Sequence, residues 1–173
     1  MNRGEVPVVV DTREQKPYDF SEVGVDNVVH EKLDVGDYTL KGFEHDFVVE
    51  RKSLDDLANS LGTERGRFEN EILRANGYAH RNEKQNPIPG TKPDYELDEF
   101  TVVIEASENQ VYGYRNKPNC PHYYSDMHPN SIIGTIEKWP KKYDTLEFVW
   151  AGDRFGGLQE TLSLLDKWYL DYS

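Results

Sequence analysis

Val48-Val49-Glu50-Arg51-Lys52-Ser53-Leu54-Asp55-Asp56 is the stretch that decides how this chain is read. Two β-branched residues lead into an acid, two bases and then further acids. The opening reads as a strand entering a core, where alternate side chains share a face. Glu50 and Lys52 therefore point one way and Arg51 the other. Upstream, Asp37 precedes the strand-like run Tyr38-Thr39-Leu40, and a hairpin around Gly42 would set it beside Glu50 and Lys52. Two carboxylates and an ammonium on one sheet face can hold a divalent cation and orient a water, the requirements of phosphodiester hydrolysis. Ser53, with Asp56 three residues on, has the form of a helix start, so a capping role for Asp56 stands beside a catalytic one.

The same residues carry a family likeness. Gly36-Asp37, Glu50-Arg51-Lys52 and Asp56 resemble the G-D-x(n)-E-R-K-x3-D signature of the XPF/Hef nuclease-domain family, structure-specific DNA endonucleases of the restriction-endonuclease-like, PD-(D/E)xK superfamily. Val10-Asp11-Thr12-Arg13-Glu14, Leu33-Asp34-Val35-Gly36-Asp37-Tyr38, Gly66-Arg67-Phe68 and Val102-Val103-Ile104-Glu105 are similar to further family segments, in the same order. The resemblance implies an α/β fold, a restriction-endonuclease-like mixed central sheet flanked by helices. It implies a metal-dependent endonuclease cutting branched DNA such as flaps, forks or nicked junctions, with Mg2+ or Mn2+ as cofactor. Asp37 and Glu50 are the implied metal ligands, with Asp11 near the metal. Lys52 would position or deprotonate the attacking water, or balance charge on the phosphate. Arg51 and Asp56 belong to the implied catalytic set, Arg51 acting indirectly because of its strand face. Arg13 would bind phosphate or brace the acids. Arg67 would contact phosphate, and Arg65, Glu14, Arg115 and Lys117 complete the candidate DNA contacts. Glu105 would orient Lys52 or stand as a satisfied strand-end acid. Two other readings stay open: a catalytically silent DNA-binding or dimerisation subunit, and a nuclease without structure specificity.

Composition bounds the rest. The 173 residues suit one domain with a sizeable core. No apolar run reaches the roughly 18 residues of a membrane span, and the N-terminus lacks a signal-like apolar region. The single cysteine, Cys120, leaves no internal disulfide framework, so an intracellular protein is expected. A formal net charge of −12 is unusual for a nucleic-acid binder. Acids gathered at a metal site, or a halophilic host, would account for it. Locally the basic residues Arg65, Arg67, Arg74, Arg81, Lys84 and Lys92 follow the motif, a track that predicts salt-sensitive DNA binding.

Along the chain, strands are expected at Val6 to Asp11, Asn27 to Leu33, Asp37 to Lys41, Asp46 to Arg51, Phe100 to Glu105 and Thr145 to Ala151. Helices are expected from Ser53, from a Thr63 cap, over Ser131 to Lys138, and along the stripe Leu158, Leu162, Leu165, Tyr169. This gives one nuclease domain over 1–173, with a motif core at about 6–75, loop insertions at about 80–98 and 107–129, and no helix-hairpin-helix module. Cys120, His80, His122 and His128 fit no standard zinc spacing. Tyr112, Tyr114, Tyr123 and Tyr124, near Arg115 and Lys117, would either stack on unpaired bases or pack their own loop. The resemblance also implies a homodimer through the last helices, with Trp168, Tyr169 and Tyr172 as apolar area, unless these residues pack the chain's own core.

Overall fold

The structure, a computed structural model, describes residues 3–77, 96–113 and 127–173. Among them, six strands form one mixed sheet: β1 Val8–Asp11, β2 Val28–Glu31, β3 Tyr38–Leu40, β4 Phe47–Lys52, β5 Glu99–Ile104 and β6 Leu146–Trp150. Their order is β2-β1-β3-β4-β5-β6. β3 runs antiparallel to both neighbours, β1 and β4, while β1–β2, β4–β5 and β5–β6 are parallel. The helices are α1 Leu54–Leu61, α2 Arg65–Ala75, α3 Glu108–Gly113, α4 Pro129–Lys138 and α5 Arg154–Tyr172. None of the described helices is long and apolar enough to cross a membrane.

Strand alternation sorts side chains onto two cores. On one face Val48, Phe100, Val102 and Ile104 meet Leu57 and Leu61 of α1, Phe68 and Ile72 of α2 and Ile132 of α4. On the other, Phe47, Val49, Val103, Tyr38 and Leu40 meet Leu158, Leu165, Trp168 and Tyr169 of α5. The same alternation carries Glu50 and Lys52 onto the α1–α2 face and Arg51 onto the α5 face. Two glycines make close packing possible. Gly36 has φ +74, and a Cβ there would stand 3.0 Å from Val48 side-chain carbons and 3.1 Å from the Val49 carbonyl oxygen. A Cβ on Gly157 would fall 2.2 Å from the Tyr18 hydroxyl, so α5 sits tight against the loop after β1.

Several boundaries differ from the sequence reading. α2 starts at Arg65 with Glu64 at its cap position and no side-chain cap, in place of a Thr63 cap. The stretch 107–129, read as loop, contains α3 and the first residue of α4. His128 caps α4, its Nδ1 accepting from the Asn130 N–H, which is a structural use of a residue weighed for zinc. A 3-10 turn, Phe20–Val23, lies in the loop after β1, with Asp19 capping it. The largest correction concerns α5. Trp168 and Tyr169 are 1% and 5% exposed and belong to the core, Trp168 lying 5.0 Å from the Phe47 ring, so neither supplies a dimer surface. A buried indole with this packing is costly to remove: Trp168→Ala is expected to lower unfolding free energy by about 3–5 kcal/mol, and Leu170→Ala on the exposed side of α5 by under ~0.5 kcal/mol, as read by urea denaturation.

Candidate active site

The β3–β4 hairpin builds the site from the backbone outward. The Asp37 N–H donates to the Val49 carbonyl at 2.8 Å, and the Asp11 N–H to the Asp37 carbonyl at 2.8 Å. The N–H of Arg51 donates to Asp37 Oδ2 at 2.8 Å. Asp37 is thus fixed from both neighbouring strands, and its carboxyl hydrogen-bonds Glu50. Lys52 Nζ donates to Glu50 Oε1 and lies 4.6 Å above the Phe68 ring. The Glu50 and Lys52 side chains are 9% and 12% exposed.

Burial sets the electrostatics here. It raises Asp37 well above the usual carboxylate range, and the charges of Glu50 and Glu14 add to it. Burial likewise raises Glu50 to about 7, with the charge of Glu71 adding and Lys52 opposing. For Lys52, burial opposes the charged form, but the Glu50 carboxylate outweighs it and holds the ammonium above its ordinary value. Two touching buried carboxyls are stable when a proton or a cation lies between them. Among the described residues no third His, Cys, Asp or Glu completes a metal cage. Mg2+ keeps most of its waters and takes one or two carboxylates, so this hard-oxygen pair fits it, and Mn2+ equally.

On the opposite face of β4, Arg51 is the centre of a buried ion chain. Its Nε lies 3.1 Å from Glu14, its Nη1 3.0 Å from Glu105, and Arg154 of α5 reaches Glu105 at 3.1 Å. Arg51 keeps its charge: burial works against it, and the bond and charge of Glu14, then Glu105, prevail. Glu14, 6% exposed and expected to touch DNA, is bound to Arg51; of the two readings of Glu105, the structure has the satisfied strand-end acid, shared by Arg51 and Arg154. Arg51 faces away from the carboxyl pair, as its strand position requires.

Other expected site residues also have structural employment. Both oxygens of Asp11 are taken: Oδ1 accepts from the Arg13 N–H and Nε, and Oδ2 from Arg13 Nη2 and the Leu33 N–H. Burial alone would raise Asp11, but these bonds outweigh it and lower its pKa. Asp11 therefore braces the loop before β3 and has no oxygen spare for a metal. Arg13 braces it in turn. Asp56 forms a capping box, its N–H donating to Ser53 Oγ at 3.1 Å and its Oδ2 accepting the Ser53 hydroxyl at 2.6 Å. It lies 3.9 Å from Arg51 Nη2. Arg65 stacks on Trp139 at 4.8 Å and does not face the carboxyls. Arg115, Lys117, Tyr114, Tyr123, Tyr124, Cys120, His80, His122, Arg81, Lys84 and Lys92 lie outside the described residues.

Above the carboxyl pair opens a cavity of about 1000 Å3, walled by the β1–β3 loops on one side and α2 on the other. Arg67, 88% exposed and only loosely paired with Glu64 at 3.8 Å, stands on its rim. Glu71 also faces it, accepting from the Gly36 N–H at 3.4 Å. The sequence reading missed Glu71. The available signal was its place four residues after Arg67 and three before Arg74, which puts all three on one face of α2.

A mixed sheet thus ends in two carboxyls and a lysine beneath an open cleft. Residues 10–154 match the ERCC4 domain, and the chain belongs to that family, one of structure-specific nucleases. Its fold is similar to that of XPF from Aeropyrum pernix, at TM-score 0.62 and 20% identity, covering 94% of this chain and 65% of that one. The chain thus spans about two-thirds of that relative's length. No curated protein matches the sequence.

The carboxyl pair has a pH signature. Because Glu50 holds its proton to about 7 in the fold against 4.5 ordinarily, stability from this site is full below about 4.5 and is lost as pH rises through about 7. Asp37→Asn removes one charge of the pair and leaves an acceptor for the Arg51 N–H. It is expected to unfold about 2–8 °C higher than the parent at pH 8 without metal, the gain shrinking toward pH 5. Mg2+ should raise the melting temperature of the parent at pH 8 and leave Asp37→Asn unmoved, both read by differential scanning fluorimetry.

Proposed function

We propose that this chain is a divalent-metal-dependent endonuclease that hydrolyses phosphodiester bonds in DNA, with flaps, forks and nicked junctions as preferred substrates, inside the cell. The observation that carries the reading is the contact of the Asp37 and Glu50 carboxyls, with Lys52 on the same floor of an open cleft. Asp37 and Glu50 would hold Mg2+ or Mn2+. When bound, the ion supplies Lewis-acid polarisation of the phosphate and a water of lowered pKa.

The chain's own residues supply the remainder. Asp37 is aimed by the Arg51 N–H, so its geometry is set by sheet pairing and not by a free rotamer. Lys52 stays charged beside Glu50, which suits it to balance charge on the phosphate and to orient water, and unsuits it as a base. Arg67 at the rim offers a planar two-pronged donor for a phosphate. Branch preference rests on the family. Pairing of two copies through α5 rests on the family and on the exposed Leu170, with the partly exposed Tyr172, whose ring lies 5.6 Å from Phe47, at its edge.

End-labelled duplex, single-stranded, 3′-flap, fork and nicked-junction DNA, each incubated with Mg2+, Mn2+ or EDTA, test the reading. Cutting near the branch is expected with either metal and none in EDTA. Asp37→Asn and Lys52→Ala should each lose roughly 100- to 10,000-fold in rate while still binding DNA. Equal cutting of every substrate would remove branch preference and keep the chemistry. Binding without cutting under any metal would favour a catalytically silent subunit.

A further inference from the structure

Most cations around the catalytic cleft are already committed to protein acceptors. Arg13 is on Asp11 and the Leu33 carbonyl, Arg51 on Glu14 and Glu105, and Lys52 on Glu50. Arg74, in the last turn of α2, is different. Its side chain lines the cleft, and among the described residues none pairs with its guanidinium. Its Nε is shut off from water with no acceptor. A shielded, charged N–H without a partner is costly to the free protein and calls for an explanation, and in a residue that lines a cleft a bound anion is one.

The helix spacing says what kind of partner. Arg67 and Arg74 lie seven residues apart, on the same face of α2 and both lining the cleft. At about 1.5 Å per residue their Cα atoms are ~10.5 Å apart along the axis, too far for both guanidinium groups to share one phosphate and close enough for two phosphates of one strand. Phe68, in the turn of α2 next to Arg67, carries Lys52 over its ring, so the Asp37–Glu50 floor lies alongside this helix. Glu71, between the two arginines, accepts from Gly36 and is unattractive to an anion. The two ends of the helix face are therefore its anion-attracting points.

We infer that Arg74 is a phosphate-binding residue of the cleft, taking a different backbone phosphate of the same strand from the one at Arg67. This rests on the nuclease reading above. It also gives an acidic protein a fixed, two-point grip on one strand.

The test uses fluorescein-labelled 3′-flap DNA and fluorescence anisotropy, with Asp37→Asn as the cleavage-silent parent and Arg74→Met or Arg74→Lys added to it. Methionine keeps the length and apolar stem and removes the donors. Arg74→Met is expected to bind about tenfold or more weakly. The slope of log K against log salt should become shallower by about 0.9, and Arg74→Lys should recover most of that slope. The melting temperature of Arg74→Met without DNA should equal or exceed the parent's, since an unpaired cation is removed. Unchanged affinity and slope in a folded Arg74→Met protein overturn the inference and leave the nuclease reading standing. A fall in melting temperature with an unchanged salt slope assigns Arg74 a structural role and also overturns it. A parent that binds no DNA, with a wild type that cuts none, overturns both.

Discussion

Everything at this site depends on the antiparallel pairing of β3 with β4. That pairing puts the Asp37 N–H on the Val49 carbonyl and the Arg51 N–H on the Asp37 carboxyl, so two acids distant in sequence meet with their geometry set by the sheet. Gly36 makes it possible, since any Cβ there would press on Val48 and the Val49 carbonyl. The pairing also imposes a cost. Like charges brought together under burial raise both carboxyls, and the fold tolerates them because Lys52, on the same face two residues after Glu50, offsets part of the charge.

The reverse side of β4 shows why Arg51 stands between Glu50 and Lys52. Its burial would be prohibitive alone; Glu14 from the loop after β1 and Glu105 after β5 satisfy it, and Arg154 satisfies Glu105 from α5. Four segments are thereby tied together directly behind the carboxyl pair. The E-R-K run is thus two structures interleaved, a buried Glu50–Lys52 pair on the cleft side and a supporting ion chain at Arg51 behind it. The acidic total of −12 is compatible with DNA as a partner on these terms. Several acids near the cleft are already spent, Glu14 and Glu105 on Arg51 and Asp11 on Arg13, while Arg67 pairs only loosely with Glu64 and Arg74 Nε has no acceptor among the described residues.

The sequence made the hairpin, the strand faces and the family legible, because period-two alternation and a spaced motif are local properties. It did not reveal that Asp11 is saturated by Arg13 and Leu33, or that Glu14 belongs to Arg51, since a motif gives identity and order but not which oxygen is occupied. Trp168 and Tyr169 looked like surface because they close a helix at the chain end; they are core because Phe47 and Phe43 wait opposite. Arg74 was legible as part of a basic track but not as a cleft residue, and Glu71 went unread, because the apolar stripe Phe68, Ile72, Leu73 fixes only which face of α2 is buried. The polar stripe beside it, at positions 67, 71 and 74, is the one that faces the cleft.

The central claim is that Asp37 and Glu50 together hold one divalent cation beside Lys52. The most direct measurement is anomalous diffraction from crystals grown with Mn2+. A peak within about 2.0–2.3 Å of a carboxylate oxygen of both Asp37 and Glu50, absent in Asp37→Asn crystals, is the expected result. A peak bound by Glu71 or Asp11 without Asp37 and Glu50, or no peak at saturating Mn2+, would contradict the account.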